Sequence, residues 1–285
     1  DGPDGIIVAT PNRLHVPNGL VCARHRVPML IEKPIADTVE DALRLCDAAD
    51  EAGVPLLVGH HRRHSPLIVR AREVIEGGML GRLVAVMGAA LYHKPDAYFD
   101  EAPWRGQPGG GPILINMIHE VDDLRALCGE IVAVQATASN VLRGNSVEDT
   151  VAITLRFANG ALGTFALSDT AAAATSWEQT SGENASYARY ADEDCYLVAG
   201  TKGSLGVPSM RLRTFAGPSS WYESMQATEV AVERTDPLVR QLDHFCAVIR
   251  GETPPRVTGR DATRTLSVTL AISEAARTGQ TLSTE

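Results

Sequence analysis

No run of this chain is apolar for long enough to cross a bilayer, and no signal-like segment opens it. No basic stripe and no aromatic-rich basic patch appears, and the formal charge is −9, so nucleic acid is excluded as an expected partner. The five cysteines, Cys22, Cys46, Cys128, Cys195 and Cys246, are odd in number and scattered, with no CxxC pair. That argues against a disulfide framework and for reduced thiols in a cytoplasmic protein. Internal repeats and low-complexity tracts are absent as well. What is there is a globular composition, 44% hydrophobic over 285 residues, enough for one large or two ordinary domains.

The first third alternates short apolar runs with helical patterns. Gly5–Ala9, Pro28–Ile31 and Pro55–Gly59 read as buried parallel strands. The helices between them span Val16–Arg26 and the stretch from Thr38, a predicted N-cap with Asp41 three residues on, to Gly53. Strand and helix in this alternation make βαβ units, whose ligands belong at the carboxyl ends of the strands. Thr10–Asn12, Glu32–Pro34 and His60–His64 sit at those ends. Beyond a helix over Pro66–Glu76 the texture changes. Leu83–Tyr92, Ile131–Ala138, Thr150–Phe157, Ala161–Leu167, Cys195–Ala199 and Arg211–Phe215 read as strands, with a hairpin turn at Asn159-Gly160. Lys94–Gln107 reads as an irregular loop and Ala171–Asp192 as an excursion from the sheet. Helices over 237–250 and 259–278 close the chain. The expected fold class is α/β: a partial Rossmann-type parallel sheet in residues 1–64, then an α+β domain with a large, mostly antiparallel open sheet in 65–285. Helix 259–278 is expected to pack back on the first domain.

The most informative stretch is Gly109–Leu127, GGGPILINMIHEVDDLRAL. Three glycines and a proline suit a loop that lets a ligand approach backbone and then starts a helix. Ile113, Met117, Val121 and Leu124 form one apolar stripe; Asn116, His119 and Asp123 fall on a neighbouring face. A histidine so placed can exchange protons near neutral pH, its charge supported by Asp122 or Asp123. His60, His61 and His64 invite a metal reading, but adjacent strand residues point to opposite faces and no third spaced ligand joins them, so no metal is expected. Gly200–Gly206 has phosphate-loop glycines at GxxGxxG spacing without a following helix, and reads as strand, turn, strand.

Ala9-Thr10-Pro11-Asn12 with His15, then Glu32-Lys33-Pro34, then Gly109-Gly110-Gly111 leading to His119 and Asp122, resemble in order and spacing the Gfo/Idh/MocA family of nicotinamide-dependent oxidoreductases. The resemblance implies hydride transfer between NAD or NADP and a hydroxyl or carbonyl of a sugar, polyol, inositol or related compound. It implies His119 as acid/base, assisted by Lys33 near the nicotinamide and substrate hydroxyl. Thr10, Pro11, Asn12, His15, Glu32, Lys33, Pro34 and Arg63 are then the cofactor candidates. Lys94, Trp104, Arg105, Asn116, His119 and Trp177 are the substrate candidates, and a homodimer or homotetramer through the second-domain sheet is expected. The alternatives within the family are an NAD-using glycoside hydrolase and a non-catalytic, truncated or regulatory homologue. Two departures stand out. The aspartate that often precedes the family's histidine by four positions is here Ile115. The family also begins with a strand and a GxGxxG turn, about 60–70 residues that are expected upstream of Asp1, and this polypeptide alone is therefore expected to bind cofactor weakly.

Overall fold

A computed structural model describes residues 2–284. In chain order the elements are β1 (Ile6–Val8), α1 (His15–Arg24), β2 (Met29–Ile31), α2 (Val39–Ala52), β3 (Leu56–Val58), α3 (Pro66–Glu76), β4 (Leu83–His93) and α4 (Asp96–Asp100). A π-helical turn, Ile113–Met117, runs into α5 (Ile118–Cys128). Then come β5 (Ile131–Ser139), β6 (Thr150–Phe157), β7 (Leu162–Ser168), β8 (Thr170–Thr175), α6 (Trp177–Thr180), β9 (Tyr196–Gly200), β10 (Gly203–Val207), β11 (Arg211–Phe215) and β12 (Met225–Glu229). The chain continues through α7 (Pro237–Ile249), α8 (Gly259–Thr278) and β13 (Leu282–Ser283). Two compact units form. One takes the chain through Ser65 together with Asp236–Val268, the other Pro66–Thr235 and the residues from Thr269 onward.

The first unit is built on a parallel sheet of order β1-β2-β3. Every residue of β2 and β3 is buried, which is why both read in sequence as unbroken apolar runs rather than alternating ones. Thr38 caps α2 by accepting from the Asp41 amide, and Gly53 ends that helix in the left-handed region at φ 66°. Helices α1 and α2 meet at Gly19, where a Cβ would lie 2.8 Å from Leu45 and 2.9 Å from Ile31. Leu30 and Leu57 on the strands pack with Phe245 and Val248 of α7.

The second unit carries a ten-stranded sheet of order β12-β11-β10-β9-β4-β7-β6-β5-β13, with β8 paired to β4. All pairings are antiparallel except β4 with β7. Strand β6 shows the logic: Val151, Ile153, Leu155 and Phe157 are buried and Ala152, Thr154 and Arg156 exposed, one residue to each face in turn. The face that β6 leaves open also exposes Met87 and Leu162. Gly200–Gly206 forms the β9–β10 hairpin.

Three sequence expectations change here. Thr170–Thr175 is not part of an excursion but strand β8, because a ladder to β4 outweighs the poor strand preference of its alanines. Lys94–Gln107 holds α4 and a 3₁₀ turn at Pro103–Gly106. The third concerns the helix after Gly109, whose expected polar face is not solvated: Glu120, Asp122, Asp123 and Arg125 are all buried.

Candidate active site

In the first unit, three loops leave the carboxyl ends of β1, β2 and β3. The Glu32 amide donates to the Val8 carbonyl and the Gly59 amide to the Ile31 carbonyl, so the ladder carries the loops into register at one rim. His15 ties two of them. Its Nδ1 lies 2.7 Å from the Pro34 carbonyl and its Nε2 2.8 Å from the Thr10 carbonyl, with the ring fully buried. Thr10 Oγ1 accepts from Asn18. The Lys33–Pro34 peptide is cis. Glu32 bends its carboxylate back to the Lys33 amide at 3.3 Å and over Gly59, where a Cβ would stand 3.0 Å from the carboxylate oxygens. Thr10, Asn12, Glu32 and Lys33 stay partly exposed and Pro11 fully so, while Pro34 is buried. Arg63 is held by Asp261 at 3.3 Å, and its carbonyl accepts from Arg256. His64 is buried with its ring centroid 5.1 Å from that of His244. Burial, then the charge of Arg256, then His244, Arg63 and Arg240, push the His64 pKa down to about 3, so this ring is neutral. Among the described residues, no group of three or more His, Cys, Asp or Glu side chains is arranged to hold a metal.

In the second unit, a cavity of about 240 Å³ opens beside β4. Lys94 lines it. The ammonium donates to Asn116 Oδ1 at 2.7 Å and lies 4.7 Å from the Tyr98 ring centroid and 5.6 Å from that of Tyr92. His93, Ser176, Glu178, Gln179 and Tyr187 complete the polar lining. Arg105 stacks on Tyr98 at 3.8 Å and donates to its carbonyl at 2.6 Å, so this guanidinium shapes the wall from behind. Burial raises the Tyr98 pKa, which keeps its hydroxyl protonated. Trp104 is half-exposed. Trp177 is in the core instead, stacked on Tyr196 with its indole N–H donated to Glu183; its neighbours Ser176 and Glu178 reach the cavity.

Asn116 belongs to the π-turn, and His119 follows it on α5. A π-turn holds one residue more than an α-turn, and such turns recur at functional sites. The Glu148 carboxylate accepts from the Ile113 amide and so anchors the turn, its own pKa raised by burial. From Gly111 to Cys128 only Leu114, Ile115, Asn116, His119 and Ala126 escape full burial. Asn116 and His119 are therefore the polar side chains this segment presents. Asp123 accepts from the Tyr196 hydroxyl, which also donates to Glu120, all three groups being buried. Gly110 before the turn serves the chain itself. A Cβ on Gly110 would stand 2.6 Å from the carbonyl oxygens of both Trp104 and Arg105, so only glycine lets that loop lie against the helix start.

Residues 1–60 match the oxidoreductase family with an NAD-binding Rossmann fold, and residues 68–206 match the Gfo/Idh/MocA C-terminal domain. A 1,5-anhydro-D-fructose reductase from Ensifer adhaerens is 30% identical over 97% of this chain and 78% of its own length. The chain belongs to the Gfo/Idh/MocA oxidoreductase family. Further curated relatives in this family, dehydrogenases among them, are matched over less than half of their own length. Among solved Gfo/Idh/MocA-like structures, the WlbA dehydrogenase of Bordetella pertussis in complex with NADH and UDP-GlcNAcA superposes with a TM-score of 0.77 at 27% identity, covering 98% of this chain and 78% of that one. An oxidoreductase from Agrobacterium radiobacter, in complex with NAD+, L-tartaric acid and magnesium, shares the fold with a TM-score of 0.80 at 20% identity, covering 100% and 81%. The rim of the first unit fits a nicotinamide nucleotide chemically. A hydroxyl, an amide, a carboxylate and an ammonium, all partly exposed at strand ends, suit ribose hydroxyls and a carboxamide.

The sequence reading missed Tyr92, His93, Ser176, Glu178, Gln179 and Tyr187 as cavity residues. Lysine scarcity was a usable signal for Lys94: the whole chain has only Lys33, Lys94 and Lys202.

Proposed function

We propose that this protein transfers hydride between NAD or NADP and a hydroxyl or carbonyl carbon of a sugar, polyol, inositol or related compound. The observation that carries the reading is the narrow window on the π-turn and α5: on an otherwise buried segment, Asn116 and His119 are the polar groups left accessible, with Asn116 joined to Lys94 in a polar, tyrosine-walled cavity. Aromatic faces with interspersed amide, hydroxyl and carboxylate groups suit a neutral polyhydroxy ligand, and the charges of Lys94 and Glu178 offset each other there.

The bound nicotinamide supplies the hydride acceptor or donor. The chain supplies the rest. His119 takes the hydroxyl proton in oxidation and returns it in reduction; Lys33 hydrogen-bonds the same oxygen and steadies its developing charge. Thr10, Pro11, Asn12, Glu32, Lys33, Pro34 and Arg63 form the cofactor side, with His15 holding the Thr10 and Pro34 loops. Lys94, Asn116, Trp104 and Arg105 form the substrate side, and Trp177 backs it from the core. The open sheet face around Met87 and Leu162 is proposed as the surface joining copies of the chain. The test is reduced-nicotinamide absorbance with NAD+ or NADP+ and a panel of myo-inositol, D-xylose and D-glucose, and with the reduced cofactor and 1,5-anhydro-D-fructose. Turnover of at least one, abolished in Lys33→Met, is expected. No change in absorbance with any of these, alongside cleavage of a p-nitrophenyl glycoside in a parallel NAD+-supplemented assay, overturns net hydride transfer.

A further inference from the structure

We propose that Arg143 is a positioning residue that sets Lys94 in the cavity. This rests on Lys94 facing substrate, as above. Lys94 is pinned through both of its main-chain groups. Its amide donates to the Asp169 carbonyl at 2.9 Å, and its carbonyl accepts from Arg143 Nη2 at 2.7 Å. The same Nη2 donates to the Asp169 carbonyl at 2.5 Å, and Arg143 Nε donates to Asp169 Oδ1 at 2.7 Å. One guanidinium thus holds the main chain on either side of Lys94 while its own charge is matched by a carboxylate that is 2% exposed. A planar fork with several donors can do this and an ammonium cannot.

Arg143 is itself fixed. Asp149 Oδ2 accepts from the amides of Leu142 and Arg143, each at 3.0 Å, and the Asp149 main chain is bound to Ser139 and Asp169. The guanidinium lies 4.4 Å over the Phe99 ring, and 3.5 Å from an exposed Asp96 carboxylate. A route of hydrogen bonds therefore runs from the loop after β5, through Arg143, to the Lys94 main chain and from the Lys94 ammonium to Asn116 of the π-turn. The arrangement carries no sequence signature because its members are scattered at positions 94, 116, 143, 149 and 169. The substrate-side wall is held by an arginine that touches no substrate.

The experiment exploits the three lysines of the chain. With lysine labelled by 13C at its ε carbon, each of these three lysines gives a signal, and Lys94→Met assigns one by removing it. Ring currents from Tyr98 and Tyr92 displace the Lys94 signal from that of exposed Lys202. In Arg143→Gln the Lys94 signal is expected to move to the Lys202 position, and KM for 1,5-anhydro-D-fructose to rise about tenfold with kcat within about twofold. An unmoved Lys94 signal overturns the proposal, whatever happens to thermal stability. A moved signal with unchanged KM keeps the positioning and overturns instead the substrate role of Lys94. Should Arg143→Gln fail to fold, Arg143→Lys keeps the charge beside Asp169 but lacks the forked donors: a smaller displacement in the same direction is expected, and none overturns the proposal.

Discussion

The rim of the first unit and the cavity of the second are both marked in sequence by histidine, arginine and tryptophan or proline beside loops, yet the structure uses those residue types differently. On the rim, polar side chains satisfy the chain's own main-chain groups. His15 is fully buried with carbonyl oxygens at both ring nitrogens, and Arg63 is engaged by Asp261. In the cavity, polar side chains stay accessible and are steadied from behind, Lys94 by Arg143 and Tyr98 by Arg105. Burial decides between the two uses. A buried donor without an acceptor costs about 1–3 kcal/mol, so evolution fills its partners from within; an accessible one can wait for a ligand.

The largest effect expected from this contrast is on turnover. His119→Ala should lower kcat by about 10²–10⁴, the range for a lost acid/base group, while the cofactor dissociation constant stays within about threefold. His15→Ala should do the reverse, costing about 1–3 kcal/mol of stability through the lost ring hydrogen bond between the Thr10 and Pro34 loops and weakening cofactor binding more than kcat. Steady-state kinetics and cofactor fluorescence titration on both variants decide it. Equal losses of kcat in the two would erase the distinction between a histidine that holds loops and one that handles a proton.

The two tryptophans test the same distinction through stability. Trp177 is 3% exposed and stacked on Tyr196, so Trp177→Ala should cost about 3–5 kcal/mol in urea unfolding. A loss below about 1 kcal/mol would mean that this ring is not part of the core.

A third prediction concerns pH. His64 has its pKa lowered in the folded protein to about 3 from an ordinary 6.5, because burial and nearby Arg256 disfavour the cation. The unfolded chain therefore binds more protons between these values, and stability rises with pH across that window. It is complete above pH 6.5 and is lost as the pH falls towards 3. From pH 7 to pH 4 the contribution of His64 should fall by about 3 kcal/mol. Replacement by glutamine, His64→Gln, should flatten the dependence, leaving the smaller part that comes from His244, also lowered by burial and Arg256. An unchanged slope in urea titrations at pH 4, 5, 6 and 7 would remove His64 as its source.

Much of the framework was legible because local physics decides it. Buried parallel strands read as apolar runs, Thr38 with Asp41 as a cap, and Asn159-Gly160 as a hairpin. The site was legible in part. Loops at the ends of β1, β2 and β3 follow from topology, and the shared, partly exposed face of Asn116 and His119 from their spacing. What sequence could not show is depth. Nothing in Ser176-Trp177-Glu178 says that the tryptophan turns inward while its neighbours turn to the cavity. Nor does Gly110 announce that the Trp104–Arg105 main chain lies against it. The Arg143 network was hidden for a related reason, since its loop is polar in composition and its partners are distant in sequence.

Trp104 supplies the smallest effect and the sharpest one. It is 51% exposed, so removing the ring deletes little buried surface, and Trp104→Ala should change unfolding free energy by less than about 1 kcal/mol. The main chain beneath it is another matter, because the Trp104 carbonyl lies where a Cβ on Gly110 would sit. Gly110→Ala should therefore destabilise by about 1–3 kcal/mol although it adds only a methyl group. Side chain and main chain of one residue are thus predicted to differ, the first registering in KM for a polyol and the second in urea unfolding. If Trp104→Ala destabilised as much as Gly110→Ala, the exposed ring would be holding the loop.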